Sequence, residues 1–224
     1  MAKHKKKNPE SKNRILHFLG AVLVLSALSA SGYYWLNIYT PASRINVKSN
    51  VVGNYSDEAA EAAMEFDLPY SYLMALIQLE CGGQNPPGKR FERHVYRRLK
   101  DVRDGKRSEY SGITNKHISE ASDEALKNLA TSWGPFQLMG YQCILLDVKI
   151  KDIRGPRSVY YGAKWINLAY GTRLRKEQFM DCFHIHNTGR PYPSTGVPKT
   201  HDPKYVPRGL AYMDRFKSIE NASE

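Results

Sequence analysis

Glu80 is the residue whose type and setting most directly suggest chemistry. It ends the largely apolar run 73–79 and is followed at once by Cys-Gly-Gly. At helical spacing its side chain shares a face with Leu73, Leu76 and Ile77. A carboxyl group on such a face, at a helix C-terminus, is poorly solvated and lies near partial negative charge, so we expect a raised pKa. That would suit a general acid near neutral pH, whereas the alternative is a carboxylate that turns into solvent at the end of a core helix.

A second segment, residues 132–139 (Ser-Trp-Gly-Pro-Phe-Gln-Leu-Met), combines an unhindered backbone position with polar and aromatic side chains. Gly134 has no side chain, so the backbone there could approach a bulky ligand, and the Gln137 amide offers both a donor and an acceptor. Trp133 fits two interpretations equally, a groove wall or a core aromatic residue. The segment predicts one wall of a binding groove.

Residues 186–189 (His-Asn-Thr-Gly) predict another part of the same groove. The Asn187 amide could donate a hydrogen bond to a ligand, and Gly189 would permit the tight turn that holds it. A plain capping turn would explain these residues equally well.

Histidines and acids close in sequence raise the alternative of a zinc hydrolase. The candidate ligands are Asp181, Cys182, His184, His186, His201 and Asp202. Side chains two residues apart on a helix point in different directions, so His184 and His186 would share a metal only in an extended chain. There is no H-E-x-x-H spacing, and we predict neither a metal nor another cofactor.

The N-terminal residues predict export. Residues 1–14 contain six Lys or Arg and one Glu, and residues 15–36 are almost uncharged. A stretch of roughly 20 apolar residues is long enough to cross a bilayer, and the positive-inside rule makes 1–14 a cytoplasmic tail. We therefore expect 15–36 to be a signal anchor in the inner membrane, with the rest of the protein in the periplasm. Small residues near Ser29 also fit a cleavable signal, which would give a secreted protein.

Composition permits one globular domain after the anchor. The chain has 224 residues, of which 42% are hydrophobic, enough for a sizeable core. The net charge is +11, and about +6 remains without residues 1–14. Outside a membrane, that excess suits an anionic cell-wall polymer better than nucleic acid.

The cysteines Cys81, Cys143 and Cys182 could form one disulfide of unassigned pairing or act as small buried hydrophobes.

Periodicity predicts a mainly α domain over residues 56–219, joined to the anchor by a tether at 37–55. Helices are predicted at 56–66, 70–80, 122–132, 137–146, 157–170, 176–184 and 209–219. Residues 91–100 fit a strand or a helix, and residues 101–121 are predicted to form an excursion on the surface. Five prolines indicate a loop at 191–207. No run shows strict alternation, so we expect at most one small hairpin.

Taken in order, these segments resemble the lysozyme-like lytic transglycosylases and muramidases. Glu80 before Cys-Gly-Gly is similar to the family's Glu-Ser-Gly-Gly, and residues 134–139 resemble its Gly-x-x-Gln-hydrophobic-Met motif. Residues 186–189 resemble its Tyr-Asn-x-Gly element, and 90–99 resemble the Phe-Glu-Arg-His-Val-Phe-Tyr-Arg segment of the phage-type N-acetylmuramidase domain. The resemblance covers about residues 56–217 and implies a fold like that of goose-type lysozyme. A Cys and a His stand where the family has Ser and Tyr.

The resemblance implies cleavage of the β-1,4 bond between N-acetylmuramic acid and N-acetylglucosamine in peptidoglycan, with Glu80 as general acid and then base. Glycoside hydrolysis normally needs a second carboxyl group. Glu92 is the candidate, although Arg93, Arg97 and Arg98 beside it favour a structural ion pair. Lytic transglycosylases manage with one Glu, because the substrate's own 6-hydroxyl closes an anhydro ring. That route is favoured here, and hydrolysis by an N-acetylmuramidase is the alternative.

The resemblance implies glycan strands as the partner and the remaining site residues, whereas the inner membrane and an envelope-spanning assembly are suggested by the predicted anchor. We expect the protein to act on glycan strands from the inner membrane, to serve an envelope-spanning assembly such as a secretion or conjugation apparatus, and to bind no nucleic acid. An inactive wall-binding module is the alternative of another class, but it should lack the acid at position 80. The predicted substrate-binding residues are Ser132, Trp133, Gly134, Gln137, Met139, His186, Asn187 and Tyr205.

Overall fold

The computed structural model describes residues 49–221, and over these residues the protein is mainly helical. The predicted cytoplasmic tail, the signal anchor at 15–36 and the tether up to residue 48 lie outside the described residues. Within 49–221, no helix combines the length and the apolar character needed to cross a bilayer. The predicted mainly α class is confirmed for this part of the chain.

A group of longer helices surrounds one central helix. They are α1 (Ser49–Phe66), α2 (Tyr70–Cys81), α8 (Ser158–Leu174), α9 (Phe179–Thr188) and α10 (Tyr205–Asn221). Residues 71–78 of α2 are all buried, because this helix packs against both α1 and α10. A helix that is buried on every side over residues 71–78 belongs in the interior, and its position fixes where Glu80 lies.

Shorter elements form a second group. The helices are α3 (Arg93–Arg103), α4 (Asn115–Ile118), α5 (Asp123–Leu129), α6 (Gln142–Leu145) and α7 (Ile150–Arg154). The strands are β1 (Arg90–Phe91), β2 (Glu109–Tyr110), β3 (Ile113–Thr114), β4 (Thr131–Trp133) and β5 (Leu138–Met139). Strand β4 pairs antiparallel with β1 and β5, and β2 with β3. The prediction of at most one hairpin is therefore wrong, because strands this short show no alternation in sequence.

The buried apolar residues fall into two clusters. The first contains the buried faces of α1, α2, α8, α9 and α10, and the second contains those of α3, α5 and the segments around β4. Trp165 on α8 packs against both clusters. The border between the clusters is where a groove can form.

Residues 49–55 belong to helix α1 (Ser49–Phe66) and not to the predicted tether. Val51 is fully buried, and the Asn54 side-chain amide donates to the Gly83 carbonyl at 2.9 Å. Gly83 has φ +73°, and a Cβ atom there would lie 2.3 Å from Val51 Cγ2. Packing against the loop that follows Glu80 thus holds residues 49–55, a contact that local sequence does not reveal.

Other boundaries follow local signals more closely. The Ser122 hydroxyl accepts from the Ala125 amide at 3.1 Å, so the predicted helix start there is confirmed. Residues 137–146 do not form the predicted single helix, because Gln137 has φ +50° and the chain turns through β5 into α6. Helix α10 begins at Tyr205, with Pro207 in its first turn, where a missing amide proton costs nothing.

Candidate active site

A cavity of about 670 Å³ lies where the two clusters meet. Its walls include Tyr170 and Ile185 from the first cluster, and Val95 and Met139 from the second. Trp165, which packs against both clusters, also contributes. The volume is typical of a ligand site.

Glu80 lies in the last turn of α2, beside this cavity. Its side chain is 17% exposed, and the Tyr205 hydroxyl donates to its Oε1 atom. The same oxygen is 3.9 Å from Nε2 of His186, a residue of the cavity wall. Glu80 is not part of that wall itself, so the carboxylate adjoins the cavity through His186.

Tyr205 is fixed as a donor to this carboxylate. Burial, and then the neighbouring Glu80 carboxylate, raise the pKa of the Tyr205 hydroxyl well above its ordinary value. The hydroxyl therefore keeps its proton across the physiological range. A charge-assisted hydrogen bond of this kind stabilises and orients the acceptor.

A buried hydrogen-bonded chain fixes His186. The Tyr72 hydroxyl donates to Tyr170 at 3.2 Å, and Tyr170 lies 2.8 Å from His186 Nδ1. His186 Nε2 lies 2.9 Å from the Phe136 carbonyl, which can only accept, so Nε2 carries a proton. In the neutral imidazole, Nδ1 then accepts from Tyr170. The Nε2–H edge is thereby turned toward the Phe136 carbonyl and Glu80.

Two residues of the predicted groove segment are held by internal bonds. Ser132 is buried, and its hydroxyl donates to Gln137 Oε1 at 2.9 Å. Gln137 Nε2 donates to the carbonyls of Gly88 at 2.8 Å and Gly134 at 3.0 Å. Both amide protons are therefore used, and Gln137, although it lines the cavity, offers a ligand only its remaining acceptor site.

Trp133 and Gly134 have structural roles rather than contacts with the cavity. Trp133 is 8% exposed, and its indole N–H donates to the Asn128 carbonyl at 2.9 Å, which supports the core interpretation. Gly134 has φ +73°, and a Cβ atom there would lie 2.5 Å from the Ile153 carbonyl oxygen. The close backbone approach expected at Gly134 is thus to helix α7, and neither residue lines the cavity.

Met139, Asn187 and His186, which the sequence assigned to a groove, all line the cavity. Asn187 lies in the last turn of α9 rather than in a turn of its own, and its side chain is exposed. Gly189 ends that helix with φ +74°. The amide of Asn187 is therefore carried on a rigid element and is open to a ligand.

Charged side chains that the sequence did not predict as a group lie together on the cavity wall. Arg90, His94 and Arg98 line the cavity together with Glu92. Glu92 pairs with Arg90 at 2.5 Å and lies 3.5 Å from His94, so the predicted ion pair exists with a different arginine from those proposed. The signal that could have found this group is the spacing of His94 and Arg98, one helical turn apart on α3.

The histidines and acids considered for zinc do not converge. His184 is buried and joins the following loop to α9, because Nδ1 donates to the Arg190 carbonyl at 2.6 Å and Nε2 accepts from the Lys199 amide at 3.0 Å. Asp202 pairs with Arg208 at 2.5 Å. Among the described residues, no three His, Cys, Asp or Glu side chains are grouped to hold a metal ion.

The three cysteines are free thiols in the structure, so the disulfide that the sequence allowed is not formed there. Cys143 is buried in the second cluster and Cys182 in the first, as expected for small hydrophobes. Burial raises the pKa of Cys143 to about 11 and that of Cys182 to about 12, and it also raises the pKa of Cys81. Protonated thiols of this kind are inert at neutral pH.

Comparison of this chain with models of known protein families, with curated proteins and with solved structures finds no match. The class defined by the described residues is a mainly α domain. It carries a partly buried, hydrogen-bonded carboxylate beside a cavity with one charged end.

Proposed function

We propose that this protein cleaves the glycan strands of peptidoglycan as a lytic transglycosylase, with Glu80 as the single catalytic acid and base. The observation that carries the proposal is the Glu80 carboxylate, 17% exposed and held by Tyr205 beside a cavity of about 670 Å³. A partly desolvated and oriented carboxyl group next to a cavity is what general acid catalysis on a sugar requires. The motif resemblance supplies the substrate, the β-1,4 bond after N-acetylmuramic acid.

In the proposed reaction, protonated Glu80 gives its proton to the glycosidic oxygen while the bond to the anomeric carbon breaks. The 6-hydroxyl of the same sugar then attacks the anomeric carbon, and the Glu80 carboxylate accepts the hydroxyl proton. No water is consumed, and Glu80 ends in its starting form. The Tyr205 hydroxyl stabilises the carboxylate formed in the first step, so the interaction strengthens as the reaction proceeds.

His186 serves the same site as a positioning residue. Its imidazole is held at both nitrogens, by Tyr170 at 2.8 Å and by the Phe136 carbonyl at 2.9 Å, and its side chain is 7% exposed. The ring limits how the Glu80 carboxylate can turn, because Nε2 lies 3.9 Å from Oε1. This is a physical role for a His where the resembled family has Tyr.

Hydrolysis by the same fold is the second candidate, and the place of Glu92 on the cavity wall favours it. In that reaction Glu92 would act as the second carboxylate, on water or on the anomeric carbon. Its pairing with Arg90 at 2.5 Å favours the one-carboxylate route instead. We further propose that residues 15–36 anchor the protein in the inner membrane, where an envelope-spanning assembly restricts where it cuts.

Mass analysis of the glycan fragments tests the proposal directly. The purified protein should convert wall glycan into fragments that carry anhydro ends, each lighter by one water than a reducing end, and no label should enter from ¹⁸O-water. Glu80→Gln should release no fragments, which excludes a contaminating enzyme. Labelled reducing ends would indicate the hydrolytic route, and fragments released equally by Glu80→Gln would show that Glu80 is not the acid.

A further inference from the structure

One end of the cavity carries charge that the proposed cleavage does not use. His94 and Arg98 lie one turn apart on α3, and both line the cavity. The Arg98 guanidinium lies over the Tyr110 ring, 5.4 Å from its centroid, and Tyr110 packs edge-on against Tyr141. An arginine stacked in this way keeps its N–H groups in the plane of the guanidinium, free to meet a ligand.

The cations of α3 differ in their partners, and what sets Arg98 apart is that it lines the cavity and stacks on Tyr110, whereas Arg93 and Arg97 do not line it. Away from the cavity, Lys100 and Arg103 pair with Asp123 at 3.2 and 2.6 Å. On the cavity face, no carboxylate of the described residues lies within 4.0 Å of Arg98. Glu92, an acid of the same wall, is already paired with Arg90 at 2.5 Å. Arg98 is therefore a cation that lines the cavity, stacked on Tyr110 and without a carboxylate partner among the described residues.

We propose that Arg98, with His94 beside it, binds a carboxylate of the peptide that hangs from the glycan strand. The inference rests on the proposed function, since it concerns the substrate of that site. A planar guanidinium matches a carboxylate through two parallel hydrogen bonds, whereas sugar hydroxyl and acetamido groups carry no charge to match. In a strand that bears peptides, the carboxylates lie on those peptides. The protein then selects strands that still carry them.

The test measures binding rather than cleavage. The full-length protein with Glu80→Gln is titrated calorimetrically with three ligands of equal sugar number. The first is a glycan fragment with its peptides, the second is the same fragment after an amidase has removed them, which exposes the lactyl carboxylates, and the third is an uncharged oligomer of N-acetylglucosamine. Arg98→Gln is added to this background, and Arg97→Gln is the matched control, because Arg97 is exposed on the same helix and does not line the cavity.

We expect Arg98→Gln to weaken binding of the peptide-bearing fragment about tenfold and to leave the other two ligands unchanged. Arg97→Gln should change none of them, and Arg98→Lys should give a smaller loss, since it keeps the charge but not the fork. Added salt should weaken the peptide-bearing complex most. Circular dichroism of each variant checks that the fold is retained, and Arg98→Lys supplies the test if Arg98→Gln does not fold.

Three results would overturn the inference: an equal loss for all three ligands, a loss confined to the lactyl-bearing fragment, or no loss at all. Failure of the proposed function is a separate outcome. It would appear as an absence of cleavage by the protein with Glu80 intact, while the binding titrations would still report on Arg98.

Discussion

The two ends of the cavity differ in how their polar groups are held. At the end where His186 of the wall adjoins Glu80, the Glu80 and His186 side chains are only 17% and 7% exposed and are bonded to buried tyrosines. At the other, Arg90 and His94 are 79% and 55% exposed. Groups fixed by the protein before the substrate arrives suit bond breaking, because their orientation costs nothing during the reaction. Groups that remain solvated suit recognition of a ligand that brings its own charge.

Replacing each of the two carboxylates, Glu80 and Glu92, by its amide is the strongest test of this difference. Glu80→Gln should lower kcat about 10³-fold, since a general acid contributes about 10²- to 10⁴-fold. Glu92→Gln should lower it less than about tenfold, because Glu92 is paired with Arg90. Both are measured as initial rates of wall clearing, with equal thermal midpoints as the check on folding. A comparable loss in Glu92→Gln would mean that both carboxyl groups act in the reaction and would favour hydrolysis.

Tyr205→Phe tests whether the hydrogen bond from Tyr205 to Glu80 contributes to catalysis. Removing a hydrogen bond to a charged group costs about 1.5–3 kcal/mol, so kcat should fall about 10- to 100-fold with little change in KM. The matched control is Tyr212→Phe, on the same helix and partly buried, which should leave kcat unchanged. Steady-state kinetics on soluble glycan give both constants. A rise in KM alone would instead place Tyr205 among the residues that contact the substrate.

Predictions that rest on local chemistry were the most successful. The end of α2 is determined by neighbouring residues, because Gly82 caps the helix with φ +59°. The position of Glu80 at the end of a helix could therefore be predicted. The start of α5 at the Ser122 cap is equally local. The helical state of residues 49–55 was not predicted, and the contact that holds them joins Val51 to Gly83, far apart in sequence.

The candidate site shows the same limit. Gln137 has the donors and acceptor of a substrate-binding residue, but a carbonyl 49 residues away and two groups within its own segment use most of them. Tyr170 gave no sequence signal, although it links Tyr72 to His186 across the first cluster. Sequence therefore indicates which groups a residue can offer, whereas long-range partners decide which of those groups remain free.

The smallest expected effect concerns the outer face of α3. Hydrogen bonds from Arg103 and Lys100 lower the pKa of Asp123 from 3.8 to about 2. A carboxyl group with a lowered folded-state pKa adds stability above its unfolded pKa and loses it as the pH falls through the folded value. Asp123→Asn should therefore lower the free energy of unfolding slightly above about pH 4, and the difference should shrink toward pH 2.

Denaturant titrations of both proteins across this pH range measure that difference. Glu124→Gln is the control, because Glu124 adjoins Asp123 but makes no ion pair among the described residues. The ion pairs of Asp123 are exposed, so the effect should be small and should weaken with salt. Binding at Arg98 should not change in Asp123→Asn, since that arginine faces the cavity. A change in ligand binding at Arg98 would mean that the two faces of α3 are coupled. The charged side chains at that end of the cavity would then be fixed by the protein, as Glu80 and His186 are.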